Sequence, residues 1–254
     1  MQTIFRLLLA VDIEGYSART PPMQFQAQRD LRHAMEIAAR DAGLDGDRWL
    51  RQASGDGELI VLPDDVDIVA VVGQLAPALE RALAAMRRKG AGEVPLLRVR
   101  LAVHYGALIM EPRTAFGPAG DAPVVATRLL DARPLRRYLA LHRERHVALV
   151  VSEPIFREVV CSGFCALPPS YFRSIRMTIK GAVYQGHIYD PGRVSDLLTA
   201  RAPTDPANGG GPSDDPGADL YQRALEQAQR YPPGYDVEAE LGRLTDWMSR
   251  RKRP

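Results

Sequence analysis

The stretch Ala10-Val11-Asp12-Ile13-Glu14-Gly15-Tyr16-Ser17 decides how this chain is read. It closes the apolar run Leu7-Leu8-Leu9, so a buried strand ends abruptly on an acid and a glycine. Asp12 then stands at the C-terminal end of that strand, where α/β sheets build their sites. A second acid, Asp56, falls in the tight turn Ser54-Gly55-Asp56-Gly57, which is followed by the apolar arm Glu58-Leu59-Ile60-Val61-Leu62. That pattern predicts a hairpin over residues 49–62 with Asp56 at its tip. If strand and hairpin lie side by side, both carboxylates reach one edge of a sheet, spaced to hold divalent cations and a polyphosphate. Gly15-Tyr16-Ser17 leads into Pro21-Pro22 and a helix, so backbone N–H groups and a helix N-terminus can face phosphate oxygens there.

Working outward, Phe25, Leu31, Ala34, Met35 and Ala38 recur at helical spacing before Gly43, which predicts an amphipathic helix packed on the sheet. Val69, Val72, Leu75, Leu79, Leu83 and Met86 predict a second helix over 67–89, stopped by Gly90-Ala91-Gly92. Val99, Leu101 and Val103 alternate with Arg98, Arg100 and His104, the period of a strand with one wetter face. Gly106 reads as its end, with 107–110 as a short partner strand. A loop over 114–121, a helix from Val124 continued or restarted through Leu141, a buried strand over 147–151, a short helix over 153–160 and strands over 172–180 and 184–189 complete the series. The order is that of an α/β fold, an α+β sandwich with a ferredoxin-like palm and helices on the sheet. After residue 192 the texture turns to Pro, Gly, Asp and Ser, including Gly209-Gly210-Gly211. We therefore read 1–192 as one domain, 193–218 as a flexible linker and 219–254 as a C-terminal helical extension.

Composition excludes several classes. The chain has 254 residues, 46% hydrophobic and 25% charged, which is enough for one substantial core with an appendage. Its 33 Lys+Arg against 31 Asp+Glu leave a net charge of +2, so no surface-wide field supports nucleic-acid binding. Cys161 and Cys165 stand without a second pair or a His cluster, which indicates neither a disulfide scaffold nor a zinc site and favours a reducing cytoplasm. The N-terminal apolar run is too short for a signal peptide or a membrane span, so no membrane association is expected.

Five motifs, in order along residues 4–190, resemble the class III nucleotidyl cyclase homology domain. Asp12 to Ser17 is similar to the family's opening Asp-Ile/Val-x-Gly-Phe/Tyr-Ser/Thr, and Gly55-Asp56-Gly57 to its second acidic motif. Residues 97–106 look like Arg-Val-Gly-Ile-His-x-Gly, residues 120–128 like Gly-x-x-Val-Asn-x-Ala-Ser/Ala-Arg, and Ile179-Lys180-Gly181 like the late Val-Lys-Gly. The resemblance implies a metal-dependent enzyme that converts a nucleoside triphosphate to a 3′,5′-cyclic nucleotide and pyrophosphate. It implies Asp12 and Asp56 as ligands to two Mg2+ or Mn2+ ions per site, with Ile13 adding a backbone carbonyl. It further implies Arg128 as the transition-state cation and Gly15, Tyr16, Ser17 and Lys180 on the phosphates. Because the family shares each site between two subunits, a homodimer is expected.

Two departures shape that expectation. Counting back from Arg128, the family's asparagine falls on Val124, which cannot donate a hydrogen bond; loss of such a donor costs roughly 2–4 kcal/mol of transition-state stabilisation. At the base-selecting positions this chain has Gln52 and Gly117, so neither the adenine-type Lys/Asp pair nor the guanine-type Glu/Cys pair is present. The base is left open, and a pyrimidine nucleotide, as in cyclases of bacterial anti-phage defence, is one reading of the resemblance. Two functions follow: a cyclase, or a degenerate cyclase-like dimer that binds nucleotide or a partner without turnover. Residue by residue, Cys161 and Cys165 read as structural, and His104 reads as a satisfied strand histidine.

Overall fold

The computed structural model of the chain describes residues 3–89, 97–110 and 117–192. The expected linker and C-terminal extension lie outside those residues. One sheet of seven strands runs in the order β2-β3-β1-β4-β5-β7-β6. Its strands are β1 (Thr3–Ile13), β2 (Leu50–Ser54), β3 (Gly57–Val61), β4 (Val99–Ile109), β5 (Val147–Ser152), β6 (Phe172–Ile179) and β7 (Ala182–Tyr189). β1 is antiparallel to both β3 and β4, β4 is parallel to β5, and β5 is antiparallel to β7. From Leu7 to Ile13 every residue of β1 is buried, as its unbroken apolar sequence requires of a central strand covered on both faces.

Alternation assigns the two faces. Leu8, Ala10, Ala102, Ala148 and Val150 form one core with α4 (Asp121–Leu130) and α5 (Arg133–Leu141). The opposite layer is α1 (Pro21–Asp41) packed against a second long helix. That helix runs through Ile68–Ala70 (α2), a π-helical turn at Val71–Leu75, and Ala76–Lys89 (α3). By length and apolarity Ile68–Arg88 could cross a bilayer, but Val71, Val72, Leu75, Leu79 and Leu83 are buried inside the fold. A short helix α6 (Glu153–Ile155) continues as a π-helical turn through Val160.

Two expectations are corrected. Gly106 does not end a strand: β4 continues to Ile109, and Ala107 still pairs with Phe5 of β1. The glycine answers a packing demand, since a Cβ there would lie 2.8 Å from Nε2 of His104 and 3.0 Å from Cβ of Ala122 in α4. The helix expected from Val124 begins earlier, at Asp121; of the two expected courses through Leu141 it takes the restart, because Pro134 can open a helix but cannot continue one.

Candidate active site

β1 delivers Asp12 into register with Gly57 of β3 on one side and Arg100 of β4 on the other. The hairpin can approach this closely only because Gly57 lacks a side chain: a Cβ there would lie 2.0 Å from the carbonyl oxygen of Val11. Gly55 turns the hairpin in the left-handed region, at φ 55°. The Ile13 N–H then donates to the Asp56 carbonyl at 2.9 Å, and the Glu14 N–H to the Arg98 carbonyl at 2.8 Å. Beyond Gly15, at φ 67°, the chain makes a single 3-10 turn, Tyr16–Ala18. Gln28 of α1 ties the two acid-bearing segments together, donating to Tyr16 Oη at 2.8 Å and to the Gly55 carbonyl at 2.7 Å. α1 itself opens with Pro21 and Pro22, which have no N–H, so donors to an anion here come from the turn rather than from the helix end.

Asp12 is 7% exposed, and Oδ2 accepts a hydrogen bond from the Arg100 guanidinium. Oδ1 is buried with no hydrogen-bond partner among the described residues. An orphaned buried oxygen costs on the order of 1–3 kcal/mol, more when charged, so the arrangement favours uptake of a cation or a donor at that atom. Burial, and after it the neighbouring Arg136 cation, hold the Arg100 guanidinium below its ordinary value, with Asp131 opposing. Arg98, just before β4, braces the same region: it pairs with Glu14 at 3.1 Å and donates to the carbonyls of Leu139, His142 and Arg145, so its guanidinium caps the end of α5.

Ile13, Glu14, Gly15, Tyr16, Ser17 and Asp56 line one open cleft of about 410 Å³, with Arg100, Arg136 and Ala140 as its other wall. No three His, Cys, Asp or Glu side chains converge on a metal position among the described residues. A metal would therefore be held by the two carboxylates, with carbonyl, water or phosphate oxygens completing its shell. That donor set suits Mg2+ or Mn2+, hard cations that take few protein ligands.

The remaining predicted residues lie elsewhere. Gln52 and Gly117 adjoin, since a Cβ on Gly117 would fall 1.8 Å from Gln52 Oε1, so the carboxamide lies against the glycine backbone. Arg128 is half-buried in the last turn of α4, one helical turn from Val124, which is 44% exposed. Neither belongs to the cleft wall. Lys180 is exposed in the two-residue turn joining β6 to β7. β7 runs parallel to β1, so this turn is at the opposite end of the sheet from Asp12. His104 is a satisfied interior histidine, with Nδ1 2.9 Å from Ser152 Oγ and its pKa pushed down to about 4 by burial. Cys161 and Cys165 are not disulfide-bonded. Arg100 stands at the arginine of the motif over residues 97–106, which carries no role for it in the sequence reading, and Arg98 is marked only by the strand alternation; Gln28 and Arg136 have no sequence signal.

No protein-family model matches the sequence, and no curated protein matches it. Solved structures do match. The adenylate/guanylate cyclase/hydrolase from Silicibacter pomeroyi is 19% identical at a TM-score of 0.53, covering 75% of this chain and 99% of its own. The guanylyl cyclase Cya2 is 13% identical at a TM-score of 0.52, covering 74% and 92%. The guanylate cyclase domain of RhGC from Catenaria anguillulae, solved with GTP, is 13% identical at 0.50, covering 74% and 97%. This chain has the fold of the class III nucleotidyl cyclase homology domain.

Proposed function

We propose that the protein is a metal-dependent nucleotidyl cyclase that works as a homodimer with two composite sites. The observation that carries this reading is the gathering of Asp56, Ile13 and the Gly15–Ser17 turn in one cleft beside Asp12, whose Oδ1 is buried and unpartnered. Asp12 and Asp56 would hold the divalent ions, and Ile13 would add its carbonyl. Such ions would supply charge stabilisation as the ribose 3′-hydroxyl gives up its proton to solvent, its oxygen bonds to the α-phosphorus and the bond to the pyrophosphate oxygen breaks. The turn at Gly15, Tyr16 and Ser17 would present backbone N–H groups to the phosphates. Arg128 and Lys180 would act on the partner subunit's cleft, since neither reaches the cleft of its own chain: Arg128 as a fixed planar cation on the transition state, Lys180 as a point charge on the terminal phosphates. Gln52, with Gly117 beneath it, would read the base through an amide that both donates and accepts, a choice compatible with a pyrimidine.

A second reading, a nucleotide-binding dimer without turnover, is favoured by one observation. Val124 is exposed and apolar on α4 where the resembling family carries its asparagine. Incubating the protein with each of the four NTPs and Mn2+ or Mg2+, with products identified by mass spectrometry, separates the two. A cyclic nucleotide is expected; metal-dependent nucleotide binding with no product would sustain the second reading instead.

A further inference from the structure

Helix α5 carries a cation into the cleft that no sequence motif marks. Its core stripe is Leu135, Tyr138 and Leu139, and the next stripe round the helix is Arg136 and Ala140, spaced four residues apart so that both face the cleft. Ala140 leaves space there, while the neighbouring Arg133 and Arg137 are not part of the cleft wall. The helix is fixed in place, because Arg98 binds the carbonyls of Leu139 and His142 and pairs with Glu14 of the opposite wall. Of the two guanidiniums lining the cleft, Arg100 is committed to buried Asp12. Among the described residues the Arg136 guanidinium is bound only to Asp131, at 2.6 Å, and both side chains of that pair are more than half exposed. An exposed ion pair is worth no more than a few-fold in an equilibrium constant, so exchanging Asp131 for a multiply charged ligand costs little. A guanidinium fork, in turn, matches phosphate oxygens two at a time.

We propose that Arg136 is a polyphosphate-binding residue of this cleft, supplied by the same subunit as Asp12 and Asp56 and held by Asp131 until the ligand arrives. The cyclase reading supplies the natural ligand, a nucleoside triphosphate; the cleft alone supplies the ligand's class, a polyphosphate anion. The bland competitor is a surface ion pair that merely joins the end of α4 to α5, and the two readings differ in what Asp131 does.

The test is calorimetric binding of inorganic tripolyphosphate to the full chain, with and without Mg2+, in wild type, Arg136→Ala, Arg136→Lys and Asp131→Ala. Melting curves run alongside to confirm folding. About a tenfold loss is expected for Arg136→Ala, with partial recovery in Arg136→Lys, which keeps the charge but not the fork. Asp131→Ala is expected to bind several-fold more tightly, because the guanidinium is released. Equal affinity of wild type and Arg136→Ala would overturn the proposal, as would weakened binding in Asp131→Ala. NTP turnover in a wild type whose tripolyphosphate affinity ignores Arg136 would sink this inference and leave the cyclase reading standing. Arg136-dependent tripolyphosphate binding with no turnover of any NTP would do the reverse.

Discussion

At the end of β1, charge is at least partly buried and answered: Asp12 by Arg100, Glu14 by Arg98, and Arg98 again by three backbone carbonyls. On the outer turn of α4 and at the tip of β6 and β7, Arg128 and Lys180 form no ion pair among the described residues. The first set is part of what holds the strands in register, so its chemistry and its folding cannot be separated. The second set takes no part in pairing the strands, and Lys180 is exposed in a turn. Charges of that kind are free to act on another surface, as the composite dimer we propose requires of them.

The largest effect should come from the acids themselves, and the two should differ in kind. Asp12→Ala and Asp56→Ala are each expected to abolish metal-dependent turnover. Asp12→Ala should also cost on the order of 1–3 kcal/mol of stability, because it leaves the half-buried Arg100 cation without its carboxylate. Asp56 is exposed at a hairpin tip, so its loss should change stability by no more than about 0.5 kcal/mol. Turnover assays paired with denaturant unfolding read both quantities. Wild-type turnover at limiting metal in either variant would remove the metal assignment, and equal stabilities would remove the contrast between the two carboxylates.

The next effect tests whether the two regions meet across a dimer. Asp56→Ala and Arg128→Ala proteins, each inactive alone, should regain activity when mixed. One site of each mixed dimer keeps all its wild-type groups while the other carries both lesions. Random exchange puts about half the dimers in the mixed state with one good site each, so recovery near a quarter of wild type follows from symmetry. No recovery despite demonstrated subunit exchange would return Arg128 to its own chain.

A third region buries a polar group neutral instead of paired. His104 packs against Ser152 with its pKa near 4, well below the ordinary 6.5 that the unfolded chain retains. A depressed native pKa means that the unfolded state takes the proton first. Stability is therefore complete above about 6.5 and falls as the pH drops toward 4. Between about pH 7 and about pH 5 this one group should cost about 2 kcal/mol. His104→Gln keeps a hydrogen-bonding group opposite Ser152 and removes the titration, so urea midpoints at the two pH values should lie closer together in the variant. An unchanged gap would mean that His104 titrates normally.

What was legible in the sequence follows the same division. Asp12 and Asp56 could be placed at one sheet edge because an apolar run that stops on an acid and a Gly-Asp-Gly turn are local signals, and local signals fix strand ends. Arg100 could be assigned a face by alternation but not a partner, since pairing with Asp12 depends on which strand lies beside β1. Arg136 has no such signal: with the helix over 124–141 either continued or restarted, its direction cannot be counted from α4, and only the observed break before Arg133 sets the count. Gly106 was read as a breaker because its real constraint, the approach of α4 over His104, is a long-range contact that no local pattern carries.

The smallest expected effect isolates the outer region most cleanly. Lys180 and Gly181 form the two-residue turn between paired Ile179 and Ala182, and both have positive φ, at 50° and 82°. Glycine accepts that backbone freely, but a lysine pays for it, and Asn-Gly is the pair such turns favour. Nothing in the local fold calls for lysine here, as the side chain is exposed and makes no hydrogen bond or ion pair among the described residues. Lys180→Asn should therefore raise stability by roughly 0.5–1 kcal/mol while weakening the productive binding of metal-bound NTP, seen as a higher KM. The two readouts move in opposite directions only if the lysine is kept for its charge at the expense of the turn. A variant that gains stability with no change in KM would place Lys180 outside the site. A variant that loses stability would show instead that the charge contributes to the fold, and the contrast between paired and unpaired regions would fail at its outermost residue.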